Sequence, residues 1–229
     1  MRFILGCFSL LIFMLFTSCD RQVEESVSDF EFDFQPMGKG LFWIYSVEET
    51  IHFGENDSEN ATFFYRDLIR DFYIDASNEQ VFIVTRSKSS DQKSWTTMKE
   101  YTLVRRGSTL VKTLDNQPLV ALVFPPKLGK SWNGNSYRDE RADEFQIDDK
   151  YENSFLEALE SNVIRVLQEQ SDDLITFRDN RYEVYGKGIG LTEKYDEVLT
   201  YCSRDECLGN LFINSGFKSK MELIDYGKK

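Results

Sequence analysis

From Leu41 onward the chain alternates. In LFWIYSVEETIHF (41–53), Trp43, Tyr45, Val47, Ile51 and Phe53 share one parity, interrupted by Glu49. Side chains two apart lie on one face of a strand, so this spacing predicts a half-buried β-strand. GENDSEN (54–60) is turn chemistry. TFFYRDLIRDFYIDA (62–76) carries charges that a helix surface could hold, but its crowding of Tyr, Phe and Ile and the stop at SNEQ favour a strand. VFIVTRSKS and SWTTMKEYTLVRR, around SSDQ, read as one hairpin. GSTLVKTL and PLVALVFP, around DNQ, read as another. Strand and turn alternate again through ITFRDNRYEVYGKGIGLTEKYDEVLTY (175–201) and SKMELIDYG (219–227). Turn signals every ~8–12 residues are what sandwiches, barrels and large curved meanders show.

Two stretches break this rhythm. PPKLGKSWNGNSY (125–137) reads as a loop: two prolines oppose regular pairing, and its Gly and Asn residues tolerate positive φ. Trp132 within it is expected to plug the edge of the core. Ser154 and Glu157 fit a capping box ahead of FLEALESNV, with Phe155, Leu159 and Val163 four apart, which predicts one or two helical turns before VIRVLQ resumes as strand. The expected architecture is mainly β: a curved antiparallel sheet or half-barrel of about 9–12 strands with at most one short helix. It forms a single β-rich domain over 36–229.

The N-terminus follows a different pattern. Arg2 precedes an apolar run from Phe3 to Phe16, broken only by Gly6, Cys7 and Ser9; the small residues Thr17 and Ser18 then lead directly to Cys19. The run is shorter than the roughly 20 residues of a spanning helix and has the layout of a secretory signal peptide, here 1–18. A cysteine after such a run resembles the lipobox of bacterial lipoproteins, with Phe16 in place of the usual aliphatic residue. That resemblance implies lipidation of Cys19, which would become the first residue of the mature chain. Residues 19–35 are acidic and lack helical period, which suits a lipidated tether. Its end, DFEFDF, alternates acid and Phe as an edge strand would.

The formal net charge of −12 disfavours nucleic acid and anionic membrane faces as partners and suits a solvated, self-repelling surface. About 210 mature residues, from a full chain with 19 Phe and 11 Tyr, are enough for one β domain with a full core. Cys202 and Cys207 remain once Cys7 leaves with the leader and Cys19 is lipidated. An exported, even-numbered pair predicts a disulfide clamping a strand-to-strand turn. Zinc would need four ligands, and His52, the single histidine, is far away in sequence. Gly186, Gly188 and Gly190 lack the dinucleotide-loop spacing and read as one face of a bent strand. DERADEFQIDDKYE (139–152) lacks the spacing of a calcium loop and reads as a solvated acidic face. His52 sits mid-strand, and no Gly-x-Ser-x-Gly elbow occurs. No catalytic set, metal or cofactor is expected.

Four segments together resemble a family of uncharacterised Bacteroidota lipoproteins. The opening matches at Pro36, Gly40, Trp43 and Tyr45. The middle signature matches at Phe124, Pro125, Gly129, Trp132, Asn133, Gly134 and Asn135. The late signature matches at Tyr182, Tyr185, Gly188, Gly190 and Leu191, and GFKSKMELIDYGK resembles the closing strand. The resemblance covers most of the mature chain. It implies no known activity and, by analogy of fold, the curved half-barrel sheets of lipoprotein carriers.

The expected function is therefore a membrane-anchored, non-catalytic binding protein of the cell envelope. It would hold a lipid-like apolar ligand or a partner's segment on a curved sheet near Trp43, Tyr45, Trp95 and Trp132. The rival readings are a scaffolding subunit of an envelope complex and a glycan-acting enzyme with paired carboxylates. The expected address is the outer membrane, with the periplasmic face and the cell surface both open.

Overall fold

The computed structural model describes residues 31–55, 57–155, 159–204 and 206–229. The leader, Cys19 and the acidic segment up to residue 30 lie outside the described residues. Among the described residues are twelve strands: β1 (Leu41–Gly54), β2 (Asp57–Ile74), β3 (Gln80–Ser89), β4 (Thr96–Arg106), β5 (Thr109–Leu114), β6 (Gln117–Val123), β7 (Ser131–Asn133), β8 (Glu144–Phe155), β9 (Leu159–Asp172), β10 (Phe177–Gly186), β11 (Gly190–Tyr201) and β12 (Ile213–Lys228). They form one sheet in the order β6-β5-β4-β3-β2-β1-β12-β11-β10-β9-β8-β7. Each neighbouring pair is antiparallel. Two meanders thus run outward from a shared centre, the β1–β12 pair.

The connections require this sheet to curl. At about 4.8 Å between strands, twelve flat strands would be about 53 Å wide. The link from β6 on one edge to β7 on the other spans residues 124–130 and reaches at most about 28 Å. The edges must therefore approach, and they do. The Val120 amide of β6 donates to the Gly134 carbonyl just past β7 at 2.8 Å, and the Trp132 indole donates back to the Val120 carbonyl at 2.8 Å. The result is a nearly closed barrel, the curved antiparallel sheet expected from the alternation.

Alternation decides what fills it. Trp43, Tyr45 and Val47 point inward from β1, with Phe34, Phe124, Phe145, Ile164 and Leu122 packed around them. Strands β3–β6 are apolar on both faces: Val81, Val104, Val111, Val120 and Val123 form a second cluster, with Trp132 packed against it. Each of these valines is next in sequence to an inward residue such as Phe82, Leu103 or Leu110, so it lies on the opposite face. That explains why VFIV and LVALV read as unbroken apolar runs.

Four local expectations change. The described part of DFEFDF is not an edge strand, residues 29 and 30 lying outside the described residues: Phe32–Phe34 is a 3₁₀ turn whose Phe34 is fully buried, and the Gly188 amide donates to the Asp33 carbonyl at 2.9 Å. This turn plugs one end of the barrel. The predicted helix over 154–163 is instead the β8–β9 hairpin, with Ser154 paired to Glu160 and Phe155 to Leu159; residues 156–158 lie outside the described residues. Cross-strand pairing, burial of Val163 and inward packing of Ile164 and Val166 outweigh a weak capping signal. PPKLGKSWNGNSY is a loop interrupted by the three-residue strand β7 at Ser131–Asn133, and it returns to a turn from Gly134 to Tyr137. The three glycines are the β10–β11 hairpin turn rather than one bent strand: Gly186 pairs with Gly190, and Gly188 has φ +77°.

Candidate functional site

The inner face changes character from one end of the barrel to the other. Near the plug it is aromatic and closed. The Trp43 indole donates to the Ile189 carbonyl at 2.6 Å, and the Tyr45 hydroxyl donates to the Leu191 carbonyl at 3.1 Å. Toward the open end the same inward positions become charged. Glu183 of β10 pairs with Lys194 of β11, and the next inward row joins Arg181, Asp196, Ser219 and Glu49.

A buried ion pair marks the boundary. Asp67, 1% exposed, accepts two hydrogen bonds from Arg86, at 2.7 and 2.5 Å, and a third from the Tyr101 hydroxyl at 2.9 Å. Arg86 lies 4.8 Å over the Tyr65 ring. Burial opposes the guanidinium charge, but the charge and hydrogen bonds of Asp67 outweigh it, and the net direction of the Arg86 pKa is upward.

Beyond the pair lies a cavity of about 410 Å³ at the barrel mouth. That is within the range of small-molecule sites. Its charged walls are Lys112, Arg138, Arg181 and Lys194 against Asp115, Asp143, Glu183 and Asp196. Glu183, 3% exposed, accepts from the Tyr185 hydroxyl at 2.6 Å and from Lys194 at 3.3 Å. Burial pushes the Glu183 carboxyl up, but Lys194, Lys112 and the Tyr185 hydroxyl more than offset this, and the net direction is down. Lys194 also meets Asp196 at 3.2 Å; burial lowers its pKa, Glu183 and Asp196 raise it, and the net direction is up. Lys112 differs. Burial pushes its ammonium down to about 8, and its nitrogen sits 4.9 Å over the Tyr101 ring.

A larger hollow of about 570 Å³ lies between Glu55 and the connector that carries Cys202, Cys207 and Phe212. Its walls come mainly from connecting segments, whereas strands supply most of the mouth cavity's walls. Strand-borne side chains hold geometry better than those on loops.

The sequence-predicted residues do not share one site. Trp43 and Tyr45 are core, 4% and 2% exposed, around a void of about 20 Å³ that is too small for a ligand. Trp132 seals the seam. Trp95 lies outside at the β3–β4 turn, its indole donating to the Gln92 carbonyl at 3.0 Å and its ring stacked on Arg66 at 4.6 Å. Cys202 and Cys207 form the expected disulfide, with Cα atoms 5.8 Å apart, in the β11–β12 connector. Cys19 lies outside the described residues.

The acidic 139–152 stretch is only partly a solvated face. Phe145 and Ile147 are buried, Asp143 lies 3.6 Å from Arg181, and Asp148 meets Arg165 at 2.7 Å. Sequence reading missed Lys112, Arg181, Glu183 and Lys194. The signal was a charge at a core-parity position: Lys112 alternates with Leu110 and Leu114, and Glu183 with Tyr185. Among the described residues, no three His, Cys, Asp or Glu side chains gather as a metal site, and no helix is long and apolar enough to cross a membrane.

No family model and no curated protein matches the chain. Solved structures that align with it include a Bacteroides fragilis NCTC 9343 protein considered exported, with a YmcC-like fold. It is 10% identical with a TM-score of 0.44, and the alignment covers 85% of this chain and 99% of that one. Another is a protein from Parabacteroides distasonis ATCC 8503 considered a lipoprotein, 9% identical with a TM-score of 0.36, over 85% of this chain and 98% of that one.

Proposed function

We propose that this protein is a lipid-anchored, non-catalytic component of a bacterial cell envelope that binds a small polar ligand in the mouth of its barrel. The observation that carries this reading is the mouth cavity itself, walled by charged side chains that come mostly from strands and open at the end opposite the Phe34 plug. The chain enters the body at that plug. A lipid on Cys19 would therefore tie the closed end to the bilayer, with at most about 42 Å of chain between them, and leave the mouth facing away. An apolar ligand gains nothing in the aromatic interior, which is filled. A glycan-acting role would need an acid held protonated; Glu183 is driven the other way.

Mass spectrometry of protein extracted gently from membranes tests the reading. A small molecule that co-purifies with the wild type and is lost in Glu183→Gln with Lys194→Met supports it. A stoichiometric protein partner with no small molecule favours the scaffolding alternative. Exposed Phe53, Phe212 and Phe217 on adjoining segments of the open end would then be the surface to mutate first. For the anchor, Cys19→Ser should move the protein out of the membrane fraction; continued retention there would remove the lipid from the account.

A further inference from the structure

We infer that the mouth cavity takes a ligand bearing a carboxylate or phosphate group, and that Lys112 is the residue that meets it. This rests on the cavity being a binding site and adds the chemistry of what it binds.

Three of the four cations lining the cavity already have acidic partners. Lys194 lies between Glu183 and Asp196, at 3.3 and 3.2 Å. Arg181 holds Asp179 at 2.7 Å and faces Asp143 at 3.6 Å. Arg138 meets Glu140 at 3.4 Å and donates to the Asn135 side chain. Among the described residues, Lys112 has no carboxylate within 4 Å and no hydrogen-bond acceptor. Its near neighbour is the face of Tyr101, which attracts a cation but accepts no strong hydrogen bond.

Lys112 lines both the small aromatic void and the mouth cavity, so its ammonium stands at the cavity floor. Asp67, the acid behind it, is saturated by Arg86 and Tyr101. Glu183 is occupied by Lys194 and Tyr185. Asp115 is exposed in the β5–β6 turn, where water screens it. An ammonium with three donors, partly withdrawn from water and facing an open volume, gains most from an anionic oxygen that fills it. A neutral or cationic group would leave the ammonium without a bonded anion, with only the longer-range attraction of Glu183.

The test uses the full-length protein with inorganic phosphate and acetate as probes, against chloride at matched ionic strength. Phosphate, acetate or both should raise Tm above the chloride control, as a ligand of the native state does. Lys112→Met should weaken that response about tenfold or more, as expected for a lost charge-assisted bond. Lys150→Met, an exposed strand lysine, should leave it intact. If Lys112→Met does not fold, the wild type still decides the matter: bound anion should shield Lys112 from acetylation, read by peptide mass spectrometry. No anion-specific Tm rise and no shielding would overturn the inference. The co-purified ligand then separates the two failures. A neutral or cationic molecule in the cavity ends the anion assignment and leaves the binding role standing, while an empty cavity in every preparation ends both.

Discussion

Trp132 and Val120 lie on opposite edges of the sheet and are bound to each other, the indole donating to the Val120 carbonyl at 2.8 Å. With the Val120–Gly134 backbone bond, this contact joins the first meander to the second. Trp132→Phe keeps an aromatic ring against Phe145, whose centroid lies 6.0 Å away edge-to-face, but loses the donor. We expect a loss of about 1 kcal/mol in urea unfolding. Trp132→Ala should cost about 3 kcal/mol or more. The local signature is faster hydrogen exchange at the Val120 amide, and unchanged exchange there would contradict the seam.

The Asp67–Arg86 pair should respond asymmetrically. Asp67→Asn leaves Arg86 buried with its charge uncompensated and should cost about 3–5 kcal/mol. Replacing both partners, Asp67→Leu with Arg86→Met, should recover much of that loss. Chemical denaturation of the singles and the double measures the difference; equal losses in all three would show that the pair is not acting as a unit.

Two glycines of the β10–β11 turn differ in what a side chain would meet. At Gly188, φ +77°, an added Cβ has nothing within 4 Å, so Gly188→Ala should cost only the backbone strain of about 1–2 kcal/mol. At Gly190, φ +101°, the Cβ would come within 3.2 Å of the Trp43 indole nitrogen and of the Gln35 side chain. Gly190→Ala should therefore be the more damaging, with a change in Trp43 fluorescence that Gly188→Ala lacks.

Lys112 predicts an alkaline dependence of stability. Its folded value of about 8 lies below the ordinary 10.5, so between those values the unfolded chain holds the extra proton. The penalty for burying the ammonium is complete below pH 8 and is relieved as pH rises through the window. Stability should thus rise with pH there by up to about 3 kcal/mol, at roughly 1.4 kcal/mol per pKa unit. Lys112→Met should lack this rise. Parallel slopes for wild type and variant from pH 8 to about 10 would sink the assignment.

The disulfide closes a short loop, with Cys202 and Cys207 five apart in sequence, so reduction should cost only about 2 kcal/mol. Alkylation without reductant should leave the protein's mass free of labels at these two cysteines. Loss of the whole fold on reduction would mean that the clamp does more than close its connector.

Most of the elements were legible because alternation is a local property of the backbone. Trp43, Tyr45 and Val47 declare an inward face within five residues, and the turns between strands declare themselves by composition. The failures share a cause. The 154–163 helix fitted the local pattern, and the β8–β9 hairpin pairing, with burial of Ile164 and Val166 in the core, overruled it. The aromatic residues looked like a ligand surface because aromatic content does not reveal whether a ring faces a cavity or fills one.

The amino-acid order alone set the expectation of a leader over residues 1–18 ahead of Cys19, and it determined a chain of antiparallel strands and a cysteine pair suited to a bridge. Tertiary structure decided the rest. It set the closure of the sheet at Trp132 and Val120, the plug at Phe34, and which face of β3–β6 is inside. It also paired Glu183 with Lys194 and left Lys112 facing open space. Most of these depend on contacts between residues far apart in the chain, and a charge acquires its meaning from the partner that folding brings beside it.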